Sequence, residues 1–402
     1  MKEKKKERRR NLTAAILSLS LLTVMAGAAV APALDVIQQY FQNESKALVQ
    51  MVVSMPAAFI ALTTLVFPTL AKRFRARTLL LGALALYVVG GCAAGLASNI
   101  WVLLALRALV GVSVGIIMPL STGLLSFYYT RDKQDKLMGY ASAMNQMGGV
   151  VATLLSGFLA AVSWRASFLV YLMGLICVVL CARFLPNEYI VERNPAPAAK
   201  QQQKKGTGQT LRTYWALIAG MVFLMMAFFV YPSCFAMETA AEGVVPTYLV
   251  APIMAAIDLV GFAGGLLFAR MSRALGSAAR FVSPILFAAG YLLLFAGGWL
   301  GALAGSTLVG LANGVGVPFI MSSASKQAGR AAATTVLPLV STALYLGQFL
   351  TPFVLAAVEG VLGSTARLPY LVAVAAAVCF CACCACVKGS APHKDAVRQE
   401  QR

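Results

Sequence analysis

The stretch at residues 109–119, LVGVSVGIIMP, is matched later in the chain by residues 308–318, LVGLANGVGVP. Five positions are identical at a constant offset of 199 residues: one Leu, one Val, two Gly and the final Pro. Gly148 and Gly347 keep the same offset. An internal repeat of this size predicts a molecule that is built from two halves of related structure.

Around this repeat the chain contains twelve apolar stretches, most of them about 20 residues or longer, which is the length of a helix that crosses a bilayer. Because these stretches show no alternation with a period of two, they predict helices and not barrel strands. We therefore predict an all-α membrane protein with twelve transmembrane helices in two pseudo-symmetric six-helix bundles. The predicted spans are 12–34, 48–71, 78–97, 100–128, 136–162, 166–185, 212–236, 246–271, 279–297, 299–324, 332–360 and 366–387.

Composition agrees with a chain that faces lipid. Of its 402 residues, 60% are hydrophobic and 12% are charged, whereas a soluble domain carries about 25% charged residues. The predicted organisation is a basic leader at 1–11, an amino-terminal bundle at 12–185, a polar linker at 186–211, a carboxy-terminal bundle at 212–387 and a tail at 388–402.

The net charge of +19 does not indicate a nucleic-acid partner, because its distribution follows the membrane. If the amino terminus is cytoplasmic, 29 of the 33 Lys and Arg lie in cytoplasmic segments or at the cytoplasmic ends of the spans. Only Lys46, Arg165 and Arg367 lie outside, and Arg107 lies within a span. This asymmetry follows the positive-inside rule. It predicts a multi-pass protein of the plasma membrane, namely the inner membrane of a bacterium, with both termini in the cytoplasm.

Several short motifs occur in order along the twelve spans. Arg107 and Gly111 fit the pattern R-x-x-x-G in the fourth span. Residues 164–168, WRASF, fit W-R-x-x-F before the sixth. Residues 70–77, LAKRFRAR, occupy the basic loop between spans two and three. Over essentially its whole length, the chain resembles the major facilitator superfamily, although Lys72 stands where the loop motif of that family usually has an Asp. A fifth-span motif typical of its antiporters lacks its Pro here, in residues 152–157.

The resemblance implies a secondary transporter that works by alternating access, with a central cavity lined by helices 1, 2, 4, 5, 7, 8, 10 and 11. It also implies a small-molecule substrate and a monomer in the bilayer. In the multidrug branch of this family, an acid in helix 1 and the motif Arg of helix 4 are tied to proton coupling. In this chain the corresponding residues are Asp35 and Arg107.

Asp258 is the strongest site candidate from the residues themselves. It lies twelve residues before Arg270, which is about 18 Å along a helix and close to the middle of a core of ~30 Å. A carboxyl in the membrane is costly, so such a residue is by default a functional-site hypothesis. Small neighbours at helical spacing suggest that this face meets protein or a cavity. The alternative is a neutral or paired structural Asp.

Arg107 lies about 9 Å into the membrane, six residues past Trp101. Its guanidinium keeps its charge and needs an anionic partner or water. Asp35 lies at comparable depth, so we expect an Asp35–Arg107 pair. The pair is either part of proton coupling or a fixed salt bridge that clamps helices 1 and 4.

Four uncharged polar residues are candidates for the cavity wall: Asn145, Gln146, Asn313 and Gln348. Each could instead bond to a neighbouring helix, which stabilises by about 1 kcal/mol. Methionines and aromatics of the seventh span suit an adaptable apolar pocket as well as lipid contact. Glu238 and Glu242 are expected at the outer mouth, in contact with solvent.

Enzyme signatures are lacking. The only His is His393, no Cys/His cluster has zinc spacing, and there is no phosphate-binding loop, so we predict neither an enzyme nor a metal or cofactor site. The favoured hypothesis is a proton-coupled transporter of a small organic solute, with export of amphipathic compounds and uptake of a metabolite both open. The alternative is a transporter-like sensor or scaffold without net transport.

Overall fold

A computed structural model describes residues 2–129, 131–189, 207–363, 365 and 367–387. All regular structure in these residues is helical, and twelve segments are long and apolar enough to cross a membrane. The predicted fold class is therefore confirmed. We number the spans α1 Arg10–Tyr40, α2 Lys46–Arg73, α3 Ala76–Leu96, α4 Ile100–Leu125, α5 Leu137–Ala160, α6 Trp164–Phe184, α7 Arg212–Glu242, α8 Thr247–Phe268, α9 Arg270–Ala296, α10 Gly298–Ala328, α11 Val336–Leu362 and α12 Leu368–Cys386.

Some of these spans are interrupted. In α1, helix Lys2–Ala28 is separated from helix Leu34–Tyr40 by a 3₁₀ turn. The other helices are Lys46–Arg73, Ala76–Ala93 with a 3₁₀ turn Ala94–Leu96, Ile100–Tyr128, Arg131–Ala160, Trp164–Ser167 with Phe168–Met173 and Gly174–Phe184, Thr207–Glu242, Thr247–Leu275 with Gly276–Ala278, Ala279–Ala296, Gly298–Leu362 and Leu368–Cys386.

The connection between α10 and α11 differs from the expectation of a loop at 325–331. Helical residues run without a break from Gly298 to Leu362. The chain nevertheless reverses direction between the two spans, because Gly316 of α10 and Gly347 of α11 both lie against the same stretch of α7, at Leu224 and Val222. The connecting sequence AGRAAATT contains four Ala, the best helix former, which favours helical backbone around this reversal. Residues 190–206 of the predicted linker and the predicted tail at 388–402 lie outside the described residues.

Glycine contacts reproduce the sequence repeat in three dimensions. In α4, a Cβ added at Gly111 would meet the Pro56 carbonyl of α2. In α10, a Cβ added at Gly310 would lie 2.7 Å from the Ile257 carbonyl of α8. Each repeat glycine thus lets its helix approach the backbone of the equivalent helix in its own half. The predicted pseudo-symmetry of the two bundles is confirmed at this contact.

The two halves meet along two pairs of helices, α2 with α11 and α5 with α8. We call the end where α1 begins the leader end, and the end where α2 begins at Lys46 the far end. Near the far end α5 and α8 touch closely, since a Cβ on Gly157 would overlap the side chain of Ala251. Toward the leader end, the facing surfaces of the same helices line a cavity.

Candidate functional site

A cavity of about 600 Å³ lies between the two halves. A volume of this size holds a drug-sized molecule. The lining residues come from α1, α2, α4, α5, α7, α8, α10 and α11, the eight helices that the family resemblance implied. The cavity extends from Ala31 and Tyr231 near the middle of the bundle to Gly139 and Leu266 toward the leader end.

Asp258 of α8 lies on the wall of this cavity, and it is the single charged residue among the described lining residues. It is half-buried. A Cβ added at Gly149 of α5 would lie 3.0 Å from Asp258 Oδ2, so the carboxyl lies directly against the backbone of the opposite half. The lining has two other titratable side chains, Tyr231 and Tyr345. Asp258 therefore occupies the contact between the halves at the point where the cavity begins.

The four polar candidates all line the same cavity, and each is half-buried. Asn145 and Gln146 belong to α5, whereas Asn313 and Gln348 belong to α10 and α11. Gln348 Nε2 lies 3.7 Å from the sulfur of Met225. The Oδ1 atoms of Asn145 and Asn313 have no hydrogen-bond partner among the described residues. Buried amide oxygens without a partner are uncommon in folded proteins, and both of these belong to residues of the cavity wall.

Apolar side chains form most of the remaining wall. Phe228 and Phe229 of α7 face the cavity together with Phe262 of α8. The Tyr345 hydroxyl of α11 lies 2.9 Å from the sulfur of Met118 in α4, which joins the two halves across the cavity. Methionine and aromatic groups adapt to ligands of different shape because the thioether is flexible and polarisable.

Arg107 corrects one expectation. Its side chain is fully buried and lies outside the cavity lining. Its guanidinium donates to the Val52 carbonyl at 2.7 Å, to the Tyr171 hydroxyl and to the Ala26 carbonyl. The expected Asp35–Arg107 pair does not form, and Arg107 makes no ion pair with any described residue.

Local helix geometry explains the partners of Arg107. The carbonyl of Val52 has no helical donor, because the residue four positions later is Pro56. The carbonyl of Ala26 is released where the first helix of α1 ends, since the Val30 N–H bonds to Gly27 instead. Two backbone acceptors that the helices leave unpaired thus converge on one cation.

Asp35 lies in the short helix Leu34–Tyr40 and is half-buried. Its Oδ2 accepts a hydrogen bond from Gln39 Nε2 at 2.8 Å, one helical turn away. It is absent from the lining of the cavity. Because α1 is broken after Ala28, its last two turns form a separate helix. The depth of Asp35 in the membrane therefore did not predict which residues its carboxylate contacts.

The two glutamates expected in solvent are ion-paired instead. Glu238 Oε1 lies 2.6 Å from Lys46 Nζ, and the Glu238 side chain is 7% exposed. Glu242 pairs with Arg367, which also donates its backbone N–H to Glu238. Sequence reasoning missed both cations as partners. The available signal was that Lys46 and Arg367 are two of the few cations at this end of the bundle.

Comparison with known proteins agrees with this architecture. The sequence model of the Major Facilitator Superfamily matches residues 16–352. An uncharacterized transporter of Schizosaccharomyces pombe is 24% identical over 206 residues, 50% of this chain and 41% of that protein. The multidrug resistance protein B homolog of Mycobacterium tuberculosis is 31% identical over 140 residues, 34% of this chain and 26% of that protein. The aligned region is less than half the length of each of these curated relatives.

A solved structure of similar shape is that of a D-xylose-proton symporter. It aligns with a TM-score of 0.72 at 15% sequence identity and covers 92% of this chain and 96% of that chain. At this identity the likeness describes the fold alone. It extends the match to almost the whole molecule, including both six-helix bundles.

Proposed function

Because this chain belongs to the Major Facilitator Superfamily, we propose that it is a secondary active transporter which moves a small organic solute through its central cavity, coupled to protons. The observation that carries the proposal is the position of Asp258, the single charged residue of the described lining, against the opposite half. A carboxyl there binds or releases a proton as the cavity hydrates and dries, so its charge state can depend on which side is open.

The solute class that fits this wall best is an organic cation with an apolar body. Among the described lining residues the cavity offers one carboxylate and no Lys, Arg or His. A monovalent cation bound at Asp258 replaces a proton, so the total charge of the occupied cavity is unchanged. Aromatic and methionine side chains around it favour an apolar, partly aromatic body.

An anionic solute fits less well. An anionic solute would need a cation to bind it in the cavity, and Arg107 is the cation that the sequence places within a span. Arg107 instead binds three neutral acceptors and lies outside the cavity lining. An anion in the cavity would lie near the carboxylate of Asp258 without a compensating cation among the described lining residues.

The names of similar proteins support this proposal in two ways. One relative is a multidrug resistance protein homolog, which is compatible with export of amphipathic compounds. A structure of the same fold is a proton symporter for a sugar, so proton coupling occurs on this architecture. We place the protein in the plasma membrane as a monomer, with the leader end in the cytoplasm as the loop charges indicate.

A pair of ions with the same shape tests the charge selectivity of the cavity. Tetraphenylphosphonium and tetraphenylborate differ in charge but have nearly equal size. In binding measured by equilibrium dialysis on the purified protein, we expect the phosphonium to bind more tightly as pH rises, and each bound cation to release one proton at pH values at which Asp258 is protonated before binding. We expect at least about tenfold weaker binding of the borate, since a factor of ten needs only about 1.4 kcal/mol.

The variant Asp258→Asn tests the coupling. It keeps the side-chain size but cannot ionise, so binding of the phosphonium should weaken and lose its pH dependence. In proteoliposomes the variant should no longer concentrate the cation against its gradient when a proton gradient is imposed. Accumulation by Asp258→Asn at the wild-type level would refute the coupling, and equal binding of the two ions would refute the cation class.

The alternative of a sensor without net transport is separated by counterflow. Liposomes preloaded with unlabelled phosphonium should take up labelled phosphonium transiently if the cavity alternates between the two sides. A sensor would bind the ion without this exchange. Protein-free liposomes under the same conditions measure the passive permeation of the ion.

A further inference from the structure

We infer that Lys46 is a gating residue: its ammonium, held by Glu238 and Glu359 of the opposite half, keeps the far end of the cavity closed. Lys46 Nζ lies 2.6 Å from Glu238 Oε1 and 4.0 Å from Glu359 Oε1. Lys46 begins α2 of the amino-terminal half, whereas the two glutamates belong to α7 and α11. Opening of the cavity toward the far end must separate these groups.

A second contact lies one turn deeper along the same two helices. Gln50 Nε2 of α2 lies 3.3 Å from Cys234 Sγ of α7. Gln50 is 1% exposed and Cys234 is fully buried. One turn deeper again, the wall of the cavity begins at Val53 and Tyr231.

These contacts form two matching stripes. On α2 the positions follow the spacing i, i+4, i+7, which places them on one face of a helix. On α7 the partners run in the opposite direction with the same spacing. From the far end inward, the stripes are Lys46, Gln50 and Val53 on α2, and Glu238, Cys234 and Tyr231 on α7.

Glu238 is fixed by its own half. Its second oxygen, Oε2, accepts the backbone N–H of Arg367 at 3.3 Å, and the Arg367 guanidinium pairs with Glu242 at 2.5 Å. All three residues belong to the carboxy-terminal half. Lys46 is therefore the partner that comes from the opposite half, whereas Glu238 keeps its backbone contact with Arg367 within its own half.

Because Glu238 is buried, losing its contact with Lys46 is energetically costly. With 7% of its side chain exposed, Glu238 without Lys46 would be a carboxylate with little access to water and no cationic side chain across the interface. Removing one partner of a buried pair costs far more than losing an exposed salt bridge. The closed arrangement is thus stabilised by Lys46, and a variant without the cation should shift the population toward the open arrangement.

Cys234 provides a native reporter of opening. With the other eight cysteines replaced by Ser, the purified protein in nanodiscs would be treated with a water-soluble maleimide, and the labelling rate of Cys234 measured. We expect slow labelling of the parent and at least about tenfold faster labelling of Lys46→Met and Glu238→Gln, a typical size for a coupling between two states.

Two variants serve as controls. Glu242→Gln breaks the neighbouring ion pair with Arg367, which lies within one half, so Cys234 labelling should stay at the parent rate. Lys46→Arg keeps the cation and should also label slowly, which separates loss of charge from general damage. The inference is overturned if Lys46→Met labels like the parent, or if Glu242→Gln accelerates labelling as much as Lys46→Met. Because the assay needs neither substrate nor proton gradient, its outcome is independent of the proposed function.

Discussion

At the scale of single residues, the chain uses its buried charges in two different ways. Asp258 borders a cavity and contacts the backbone of the opposite half, so a change in its charge acts on the interface between the halves. Arg107 is enclosed by acceptors that the helices leave unpaired. The guanidinium thereby satisfies the carbonyl released by Pro56 and joins α4 to α1, α2 and α6.

This arrangement predicts the effect of removing Arg107. In Arg107→Leu the Val52 carbonyl loses its donor, and a buried acceptor left unsatisfied costs about 1–3 kcal/mol. We expect a lower unfolding temperature in detergent, whereas Asp35→Asn should leave it unchanged. In a double-mutant cycle the two changes should be additive within about 0.5 kcal/mol. A coupling energy well above that value would indicate that Asp35 and Arg107 form a salt bridge and would contradict this arrangement.

At the scale of helices, glycines set how closely the spans pack. Gly314 of α10 lies against the backbone of Gly261 in α8, and a Cβ added at Gly314 would overlap the Gly261 carbonyl. Gly115 of α4 makes the equivalent approach to Thr63 of α2, where a Cβ would lie 2.7 Å from the threonine Cβ. No hydrophobic driving force brings helices together in lipid. Their association therefore depends on the van der Waals contacts that such close approaches provide.

Alanine substitution distinguishes packed glycines from free ones. We expect Gly314→Ala to push α10 from α8 and to lower the unfolding temperature by several degrees, since overpacking costs about 1–3 kcal/mol. Gly123→Ala in the fourth helix is the matched control, because no atom lies within 4 Å of its added Cβ. Equal unfolding temperatures for the two variants would contradict the close contact between α10 and α8.

At the scale of the whole molecule, the basic loops and the cavity lie toward the same end of the bundle. The cavity reaches toward the leader end, which carries most of the basic loops. The far end is closed by the Lys46 contact and by the approach of α5 to α8. With the proposed orientation, the described arrangement is one in which the cavity lies nearer the cytoplasmic side.

Orientation is tested by labelling from outside intact cells in a background without native cysteines. We expect Asn43→Cys, at the exposed far end, to react with an impermeant maleimide, because the loop charges predict that this end lies outside. Gln202→Cys in the predicted linker should react only after the membrane is permeabilised. Labelling of Gln202→Cys in intact cells would overturn the proposed topology, and the Asn43→Cys signal verifies that the reagent reached the protein.

The sequence alone predicts the twelve spans, the two related halves and the position of Asp258 near the middle of its span. These properties depend on the length of apolar runs and on position along a helix, which are local quantities. It also marked Asn145, Gln146, Asn313 and Gln348 as candidates for the cavity wall, because an amide that faced lipid would lack a hydrogen-bond partner.

Which groups meet across the helices depends on the folded molecule. Arg107 and Asp35 have similar depth, yet the break in α1 and the carbonyl freed by Pro56 gave Arg107 neutral partners. Lys46 and Glu238 are 192 residues apart, and no sequence pattern pairs them. Depth is fixed by hydropathy, but the rotation of each helix about its axis is fixed by close packing over its whole surface, which no single segment of sequence contains.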